Sequence, residues 1–293
     1  MNQADSLQQR EAPRVTALVL TRDCADSLRS CLEALEGSTD RAALEILVVD
    51  NGSRDSTSDV LAAFPSVITL RLPKNFGATK ALNIGMRTAK GDYVLFLPPR
   101  FQVAADTIAT MAAQLAATDV GAVCPYVRRW YRLPAPDAMQ AALLSQELPQ
   151  AETSPDDAAV VAVDYPAGAP LMLRRSFLVG MNYLDERFGE YWWDLELCWQ
   201  IRRAGKRILV LPELKLKTSE YSNGQETGVW SADWAIGAAR YVGKHYGARA
   251  GVALRLRAAL TSLGRVVTFR NPGFHFQRLS AIVSGQKIDG TQE

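Results

Sequence analysis

Cysteine is scarce and poorly spaced for structural work: Cys24, Cys31, Cys124 and Cys198 are the 4 in 293 residues, and no two form a C-x-x-C pair. That spacing argues against a zinc site and against a disulfide framework, and leaves buried thiols in a reducing compartment as the expectation. No run of about 18 or more apolar residues occurs, so no segment is expected to span a membrane. The polar opening MNQADSLQQREAP (Met1–Pro13) lacks the apolar stretch of a signal peptide. A disordered segment over 1–13 and a cytoplasmic location are expected from it. Acidic residues are missing from one long stretch. Arg240, Lys244, Arg249, Arg255, Arg257, Arg265, Arg270 and Arg278 follow one another with no Asp or Glu between them. The formal net charge is only +2, so the remainder is net acidic. This asymmetry implies an anionic partner for the tail, be it a membrane surface, nucleic acid or a phosphorylated ligand.

What is present has an ordinary globular balance, 48% hydrophobic and 22% charged, enough for a substantial core. TALVLT (Thr16–Thr21) and EILVVD (Glu45–Asp50) read as buried strands. Between them, DSLRSCLEAL (Asp26–Leu35) carries Leu28, Cys31, Leu32 and Leu35 at helical spacing. The pattern predicts helices over Ser56–Phe64 (Asp55 or Ser56 as N-cap), Ala78–Ala89 and Ala104–Ala117. It predicts strands over Val67–Leu72, Tyr93–Leu97 and Val120–Pro125. Such units joined by short loops imply an α/β fold with a mostly parallel, doubly wound sheet. Leu133–Asp157 is an excursion with one short helix around Ala138–Leu148. Strands are then expected at Val160–Tyr165, Leu171–Arg174 and Arg207–Leu211. Helices follow the same reading over Tyr191–Ala204, closed by Gly205, and over Trp230–Tyr246 and Val252–Val267. There is no internal repeat.

Residues leaving the carboxyl ends of strands in such a sheet usually carry the chemistry. Asp50-Asn51-Gly52-Ser53 leaves the second strand. It is either a nucleotide-holding aspartate with an anion-binding turn, or simply a turn with good turn residues. Beyond Lys74-Asn75-Phe76-Gly77, Lys80 either faces a phosphate or is solvated. In YWWDLELCW (Tyr191–Trp199), Asp194 and Glu196 sit among aromatic rings at a helix start. Acids there complement the helix dipole. A carboxylate among rings also suits a carbohydrate site, where burial raises its pKa toward that of a general base. The fourth strand, in GDYVLFLPPR, ends on Pro98, Pro99 and Arg100.

Taken in order, these segments resemble the family 2 glycosyltransferases with the GT-A fold, particularly their bacterial rhamnosyltransferase-like branch. The stretches that carry the resemblance are LVLTRDCADSLRSCLEAL, ILVVDNGSRDST, KNFGATKALNIGMRTAKGDYVLFL, YPAGAPLMLRRSFLVGMNYLDERF and WWDLELCWQIRRAGKRILVLPE. The resemblance implies inverting transfer of a sugar from a nucleotide-diphosphate donor to a hydroxyl acceptor in cell-surface glycan assembly. It implies nucleotide contacts from Thr21, Asp50, Asn51, Ser53 and Lys80. Gly168 and Ala169 would form a floor under the sugar, Trp192 and Trp193 would touch sugar or acceptor, and Asp194 would act as the base. The family's fourth strand normally ends in an Asp-x-Asp motif that binds a divalent metal, and here Pro98-Pro99-Arg100 stands in its place. A family histidine that serves as a further ligand is matched by Thr218, and the acid before the base by Trp193. No metal cofactor is therefore expected, and Arg100 with Lys217 is expected to stabilise the diphosphate. The competing expectation is a catalytically inactive homologue that binds nucleotide-sugars or glycans, or acts as a scaffold.

The chain divides on this reading into the segment 1–13, a GT-A domain over 14–225 and a basic helical extension over 226–293. In the extension, Val252, Leu256, Ala259, Leu260, Leu263 and Val267 form one helical stripe. That stripe either packs on the domain or lies in a membrane interface. Phe274–Phe276 either adds apolar anchoring or caps the core. The expected partners are a nucleotide-sugar donor, a glycan or lipid-linked acceptor and an anionic inner membrane face. Nucleic acid is not expected, since no recognition motif accompanies the arginines.

Overall fold

The computed structural model describes residues 15–39, 41–145, 148, 152–153, 160–219, 227–286 and 288. The segment 1–13 and the boundary between 225 and 226 lie outside the described residues. In chain order the elements begin with β1 (Val15–Thr21), α1 (Ala25–Glu36), β2 (Leu44–Asp50), α2 (Thr57–Ala62), β3 (Ile68–Arg71), α3 (Ala78–Thr88), β4 (Tyr93–Phe96) and β5 (Phe101–Gln102). They continue with α4 (Thr107–Gln114), β6 (Val120–Pro125), β7 (Arg129–Trp130), α5 (Pro136–Ser145), β8 (Glu152–Thr153), β9 (Val161–Val163), β10 (Leu171–Arg174) and α6 (Arg175–Gly180). Last come α7 (Trp193–Arg203), β11 (Arg207–Leu211), β12 (Lys217–Thr218), α8 (Gly228–Tyr246), α9 (Ala248–Val267) and α10 (Pro272–Ser284).

The main sheet has the order β3-β2-β1-β4-β10-β6-β11-β9. β1 pairs in parallel with both β2 and β4, β2 with β3 and β6 with β11, while β10 and β9 run antiparallel to their neighbours. Alternation along the strands builds two cores. Ala17, Val19, Ile46, Val48 and Leu95 face α1, α2 and α4, whereas Leu18, Leu47, Val49, Val94 and Phe96 face α3, α7 and α8. That is the period of two expected of strands covered on both faces. In α1, Leu28, Leu32 and Leu35 are each fully buried, and burial of such a side chain stabilises by roughly 1.5–3 kcal/mol. The chain leaves β1 toward β2 on one side and finds β4 on the other. A crevice therefore opens at the carboxyl ends of β1 and β4, where ligands bind in open α/β sheets.

Several elements differ from the sequence reading for local reasons. The helix expected from Ala104 starts only at Thr107, because the Thr107 hydroxyl accepts the Ala104 N–H at 3.0 Å. Asp55 rather than Ser56 supplies the side-chain cap: its Oδ1 accepts the N–H and hydroxyl of Thr57, and its Oδ2 accepts the Ala25 N–H. The ladders β5–β12 and β7–β8 are too short to show periodicity. α10 was not expected, although Pro272 in its first turn and Gly285 after its end are the usual helix boundary signals.

In α9 the structure decides between the two alternatives left open for the stripe. Its predicted stripe does not pack on the domain: Val252, Leu256, Leu260, Leu263 and Val267 are exposed. The buried face is instead Gly251, Leu254, Ala258 and Ser262. The reason is a small-residue seam with α8. A Cβ on Gly251 would stand 2.6 Å from the Ala239 carbonyl oxygen and 2.6 Å from Gly243 Cα. Close approach of the two backbones therefore fixes which way α9 turns, and the large side chains of the stripe point outward. Phe276 is likewise exposed, and Phe274 is half-buried. Replacing Gly251 by Leu should force the helices apart and cost about 1–3 kcal/mol, in the range of other overpacked sites. Chemical denaturation measures this, and an unchanged midpoint would contradict the seam.

Candidate active site

The β2 end is closed by its own turn. Asp50 is 2% exposed. Its Oδ1 accepts the Ser53 N–H at 2.9 Å, and its Oδ2 lies 3.5 Å from Arg71 Nε. Gly52 holds φ +79°, and a Cβ there would stand 2.6 Å from the Lys74 backbone, so only glycine fits this turn. Thr21 is opposite Asp50 in the β1–β2 register, and its hydroxyl is 3.0 Å from Cys24 Sγ. Ser53 Oγ accepts the Asp23 N–H. The structure thus gathers Thr21, Asp50 and Ser53 around one loop. Asn51 joins loops instead: its amide donates to Asn75 Oδ1 at 2.7 Å, and its Oδ1 accepts the Phe76 N–H. Lys80 is exposed, and its Nζ lies 4.9 Å from the centroid of the Phe76 ring. The amino end of α3, before it, is filled from within the chain.

That filling comes from Gly189 and Glu190. Glu190 Oε2 accepts the Ala78 N–H, while the Gly189 carbonyl accepts from both the N–H and the hydroxyl of Thr79. The Glu190 N–H in turn donates to Asp233 Oδ2 in α8 at 2.8 Å. Burial and the adjacent Asp233 carboxylate push Glu190 up to about 7, against the pull of the Ala78 N–H.

Beside it lies a cavity of about 390 Å³, lined by Glu190, Asp194, Trp193, Tyr131, Tyr165 and Gly168 among others. Asp194 enters it from the first turn of α7. Its Oδ2 accepts from the Tyr165 hydroxyl at 3.0 Å and the Gly168 N–H at 3.3 Å, and its Oδ1 accepts the Leu195 N–H. Burial raises its pKa, and these hydrogen bonds hold the rise back. Glu196, two residues on, points the other way. It is buried and bonded to Lys244, His245 and Gln200, since two residues on a helix stand on opposite faces. Trp193 packs edge-on against Phe96 at the end of β4, centroids 5.5 Å apart. Trp192 also lines the cavity but is mostly buried: it is 6% exposed, its indole N–H donates to the Trp234 carbonyl at 2.8 Å, and its ring packs tilted against Trp234. Its backbone at φ +72° is left-handed, a cost of about 1–2 kcal/mol for a residue with a Cβ.

Arg100 reaches this pocket through one peptide. Its Nη2 donates to the Gly168 carbonyl at 2.7 Å, and its guanidinium lies over the Phe101 ring. Gly168 therefore bonds the Asp194 carboxylate through its N–H and the Arg100 cation through its carbonyl oxygen. Ala169 closes the same turn, its N–H donating to the Pro166 carbonyl. Lys217 is exposed and faces Gln102 across the β5–β12 ladder, and Ser219 beyond it donates to the Arg100 carbonyl. Pro98 and Pro99 bring no side-chain donor atom, Arg100 brings positive charge, and among the described residues there is no group of three or more His, Cys, Asp or Glu that could hold a metal ion.

Tyr165, Glu190 and Asp233 were missed in the sequence. Tyr165 carried the same signal as Arg100, a polar group at the end of a strand run. Glu190 lay four residues before Asp194 in the same aromatic segment. Asp233 gave no local signal, because its role exists only once α8 packs.

Residues 16–176 match the model of glycosyl transferase family 2. An uncharacterized glycosyltransferase of Rickettsia typhi is 28% identical over 90 residues, covering 31% of this chain and 28% of that protein. The putative glycosyltransferase EpsH of Bacillus subtilis is also 28% identical over 90 residues, covering 30% and 26%. The aligned part is thus a minor share of these relatives' own length. Among solved structures, GalNAc-T7 with UDP, GalNAc and Mn2+ superposes with TM-score 0.63 at 15% identity, over 80% of this chain and 48% of that one. Mannosyltransferase PcManGT from Pyrobaculum calidifontis with GDP-Man and Mn2+ gives TM-score 0.58 at 19% identity, over 94% and 86%. S. aureus TarS with UDP-GlcNAc gives 0.54 at 14% identity, over 78% and 66%. These likenesses establish the GT-A fold. With the family model covering more than half of the chain, the protein belongs to glycosyl transferase family 2.

Proposed function

We propose that this protein is an inverting glycosyltransferase that moves a hexose or deoxyhexose from a nucleotide-diphosphate donor to a hydroxyl acceptor in cell-surface glycan assembly, without a divalent ion at the diphosphate. One observation carries the reading: the Gly168 peptide joins the Asp194 carboxylate to the Arg100 guanidinium at one pocket. Solved structures of the same fold hold UDP, UDP-GlcNAc or GDP-Man, which supports a nucleotide-sugar donor.

Asp50 with Thr21 and Ser53 receives the nucleoside, and Asn51 and Lys80 shape the wall beside it. Gly168 and Ala169 lie under the sugar, with Trp193 at its side. Asp194 takes the proton of the acceptor hydroxyl as that oxygen forms its bond to the anomeric carbon. The bond from that carbon to the diphosphate oxygen breaks on the opposite face. The electron pair leaves with the diphosphate, whose charge Arg100 stabilises, aided by Lys217. Tyr165 keeps Asp194 oriented: its own pKa is raised well above the ordinary phenol value, chiefly by burial, so it remains a donor. The basic helices after α7 hold the protein at the inner face of an anionic membrane, where a lipid-linked acceptor is reached.

Asp194→Asn is expected to lower kcat by about 100- to 10,000-fold, the usual worth of a positioned base, and to leave donor affinity unchanged. In the unmodified protein, burial raises the Asp194 pKa, so protonation removes the base as pH falls. kcat/KM should then drop at a pH above the ordinary aspartate range of about 4. Donor binding with no turnover under any condition would instead identify a binding module and overturn the reading. Arg100→Ala should weaken donor binding by about 10- to 100-fold, as expected for loss of a charge-assisted hydrogen bond. Unchanged affinity in calorimetry would remove Arg100 from the mechanism.

A further inference from the structure

Away from the catalytic crevice, α5, α9 and α10 enclose a cleft of about 280 Å³ lined by Gln140, Leu143, Arg257, Leu260, Thr261 and Arg278, with Ala258 at its back. Arg278 is the unusual member. It is only 6% exposed, donates from Nη1 to Ser262 Oγ at 2.7 Å, and leaves its Nε without a hydrogen-bond partner. No Asp or Glu occurs anywhere in α9 or α10 to neutralise it. A buried guanidinium without an anion is disfavoured, and burial together with Arg265 pulls its pKa down. Arg257 adds a second guanidinium to the same cleft, donating to Gln140 Oε1. Two planar forks with an unused donor between apolar walls are a binding arrangement for a phosphate group.

The surroundings indicate where that phosphate comes from. Leu260 belongs both to the cleft and to the outward stripe of α9, whose members Val252, Leu256, Leu263 and Val267 are all at least 45% exposed. Phe269, 84% exposed, continues the stripe past the end of the helix. Arg249, Arg265 and Arg270 are exposed on the same segment. An apolar helix face flanked by arginines suits the interface of an anionic bilayer. A second copy of the chain suits it poorly, because pairing two such faces would bring arginines together with no acid on either helix.

We propose that α9 lies in the interface of an anionic membrane and that the Arg257–Arg278 cleft holds the headgroup phosphate of an anionic lipid. The inference rests on the membrane contact proposed above and gives it a site; it is independent of the sugar-transfer chemistry. In this arrangement Val252, Leu256, Leu263 and Val267 enter the acyl boundary, and Leu260 lies beside the lipid's glycerol. The α8–α9 seam carries the load to the catalytic unit.

Co-sedimentation of the full chain with vesicles tests it, comparing phosphatidylcholine alone with phosphatidylcholine containing phosphatidylglycerol. Binding is expected only with phosphatidylglycerol, and Arg257→Gln and Arg278→Lys should each lower the partition coefficient about tenfold, as loss of a charged fork to phosphate implies. Arg257 is exposed, so Arg257→Gln keeps the test valid even if thermal unfolding shows that Arg278→Lys does not fold. Both variants binding as tightly as the unmodified protein would overturn the cleft while leaving a general membrane contact standing. No binding of the unmodified protein to either vesicle would overturn both. Tm shifts with inorganic phosphate that are lost in Arg257→Gln, without any vesicle binding, would show a free-phosphate site and overturn the lipid assignment.

Discussion

The architecture depends on how the amino end of α3 is satisfied. The first N–H groups of a helix have no partner within it, and in α3 two of them are taken by the segment Gly189–Glu190, more than a hundred residues later in the chain. The same segment is held from behind by Asp233 of α8. Three parts of the molecule meet there: the first half of the sheet through α3, the approach to α7, and the C-terminal helices. Because Glu190 is fixed, the chain that follows has one path into α7. Trp192 adopts its left-handed turn on that path and places Asp194 in the cavity. The helices after residue 226, drawn in the sequence as an extension, thus supply part of the wall that positions the site.

The clamp also sets the electrostatics. Glu190 and Asp194 line one cavity, yet their environments differ. Glu190 has one backbone donor and a carboxylate neighbour, and it is pushed up to about 7. Asp194 has Tyr165, Gly168 and Leu195 among its donors, and these hydrogen bonds oppose its rise. The two carboxyls therefore meet the cavity with different partners, Glu190 beside another acid and Asp194 among hydrogen-bond donors. Positive charge is held next to them on Arg100, bonded to the carbonyl of the same Gly168 that steadies Asp194. A cation fixed in that way costs no reorganisation when negative charge develops on a leaving group.

Much of the fold was legible because it is written in short-range patterns. The apolar runs of β1, β2 and β4 and the spacing of Leu28, Cys31, Leu32 and Leu35 require no knowledge of distant partners. The residues of the candidate site that the sequence singles out are those where a strand ends on an unusual residue, as at Asp50 and Arg100, or where an acid stands among rings, as at Asp194. The site was not legible where a role arises only from packing. Trp192 and Trp193 are neighbours of identical chemistry and both line the cavity, but the docking of α8 buries most of Trp192 against Trp234 and leaves Trp193 more open. The contact of Lys80 with the Phe76 ring likewise exists only once the loop is folded. The α9 stripe was legible as a stripe but not its side, because a close glycine contact, and not hydrophobic area, decides the face that docks.

The central claim is that a fixed arginine, and no divalent ion, meets the donor diphosphate. The most direct measurement is calorimetric titration of UDP, GDP and dTDP into the unmodified protein, each in EDTA and again with excess manganese. The account predicts that at least one nucleotide binds in EDTA with an affinity that manganese leaves unchanged. Binding that appears only when manganese is added would contradict it.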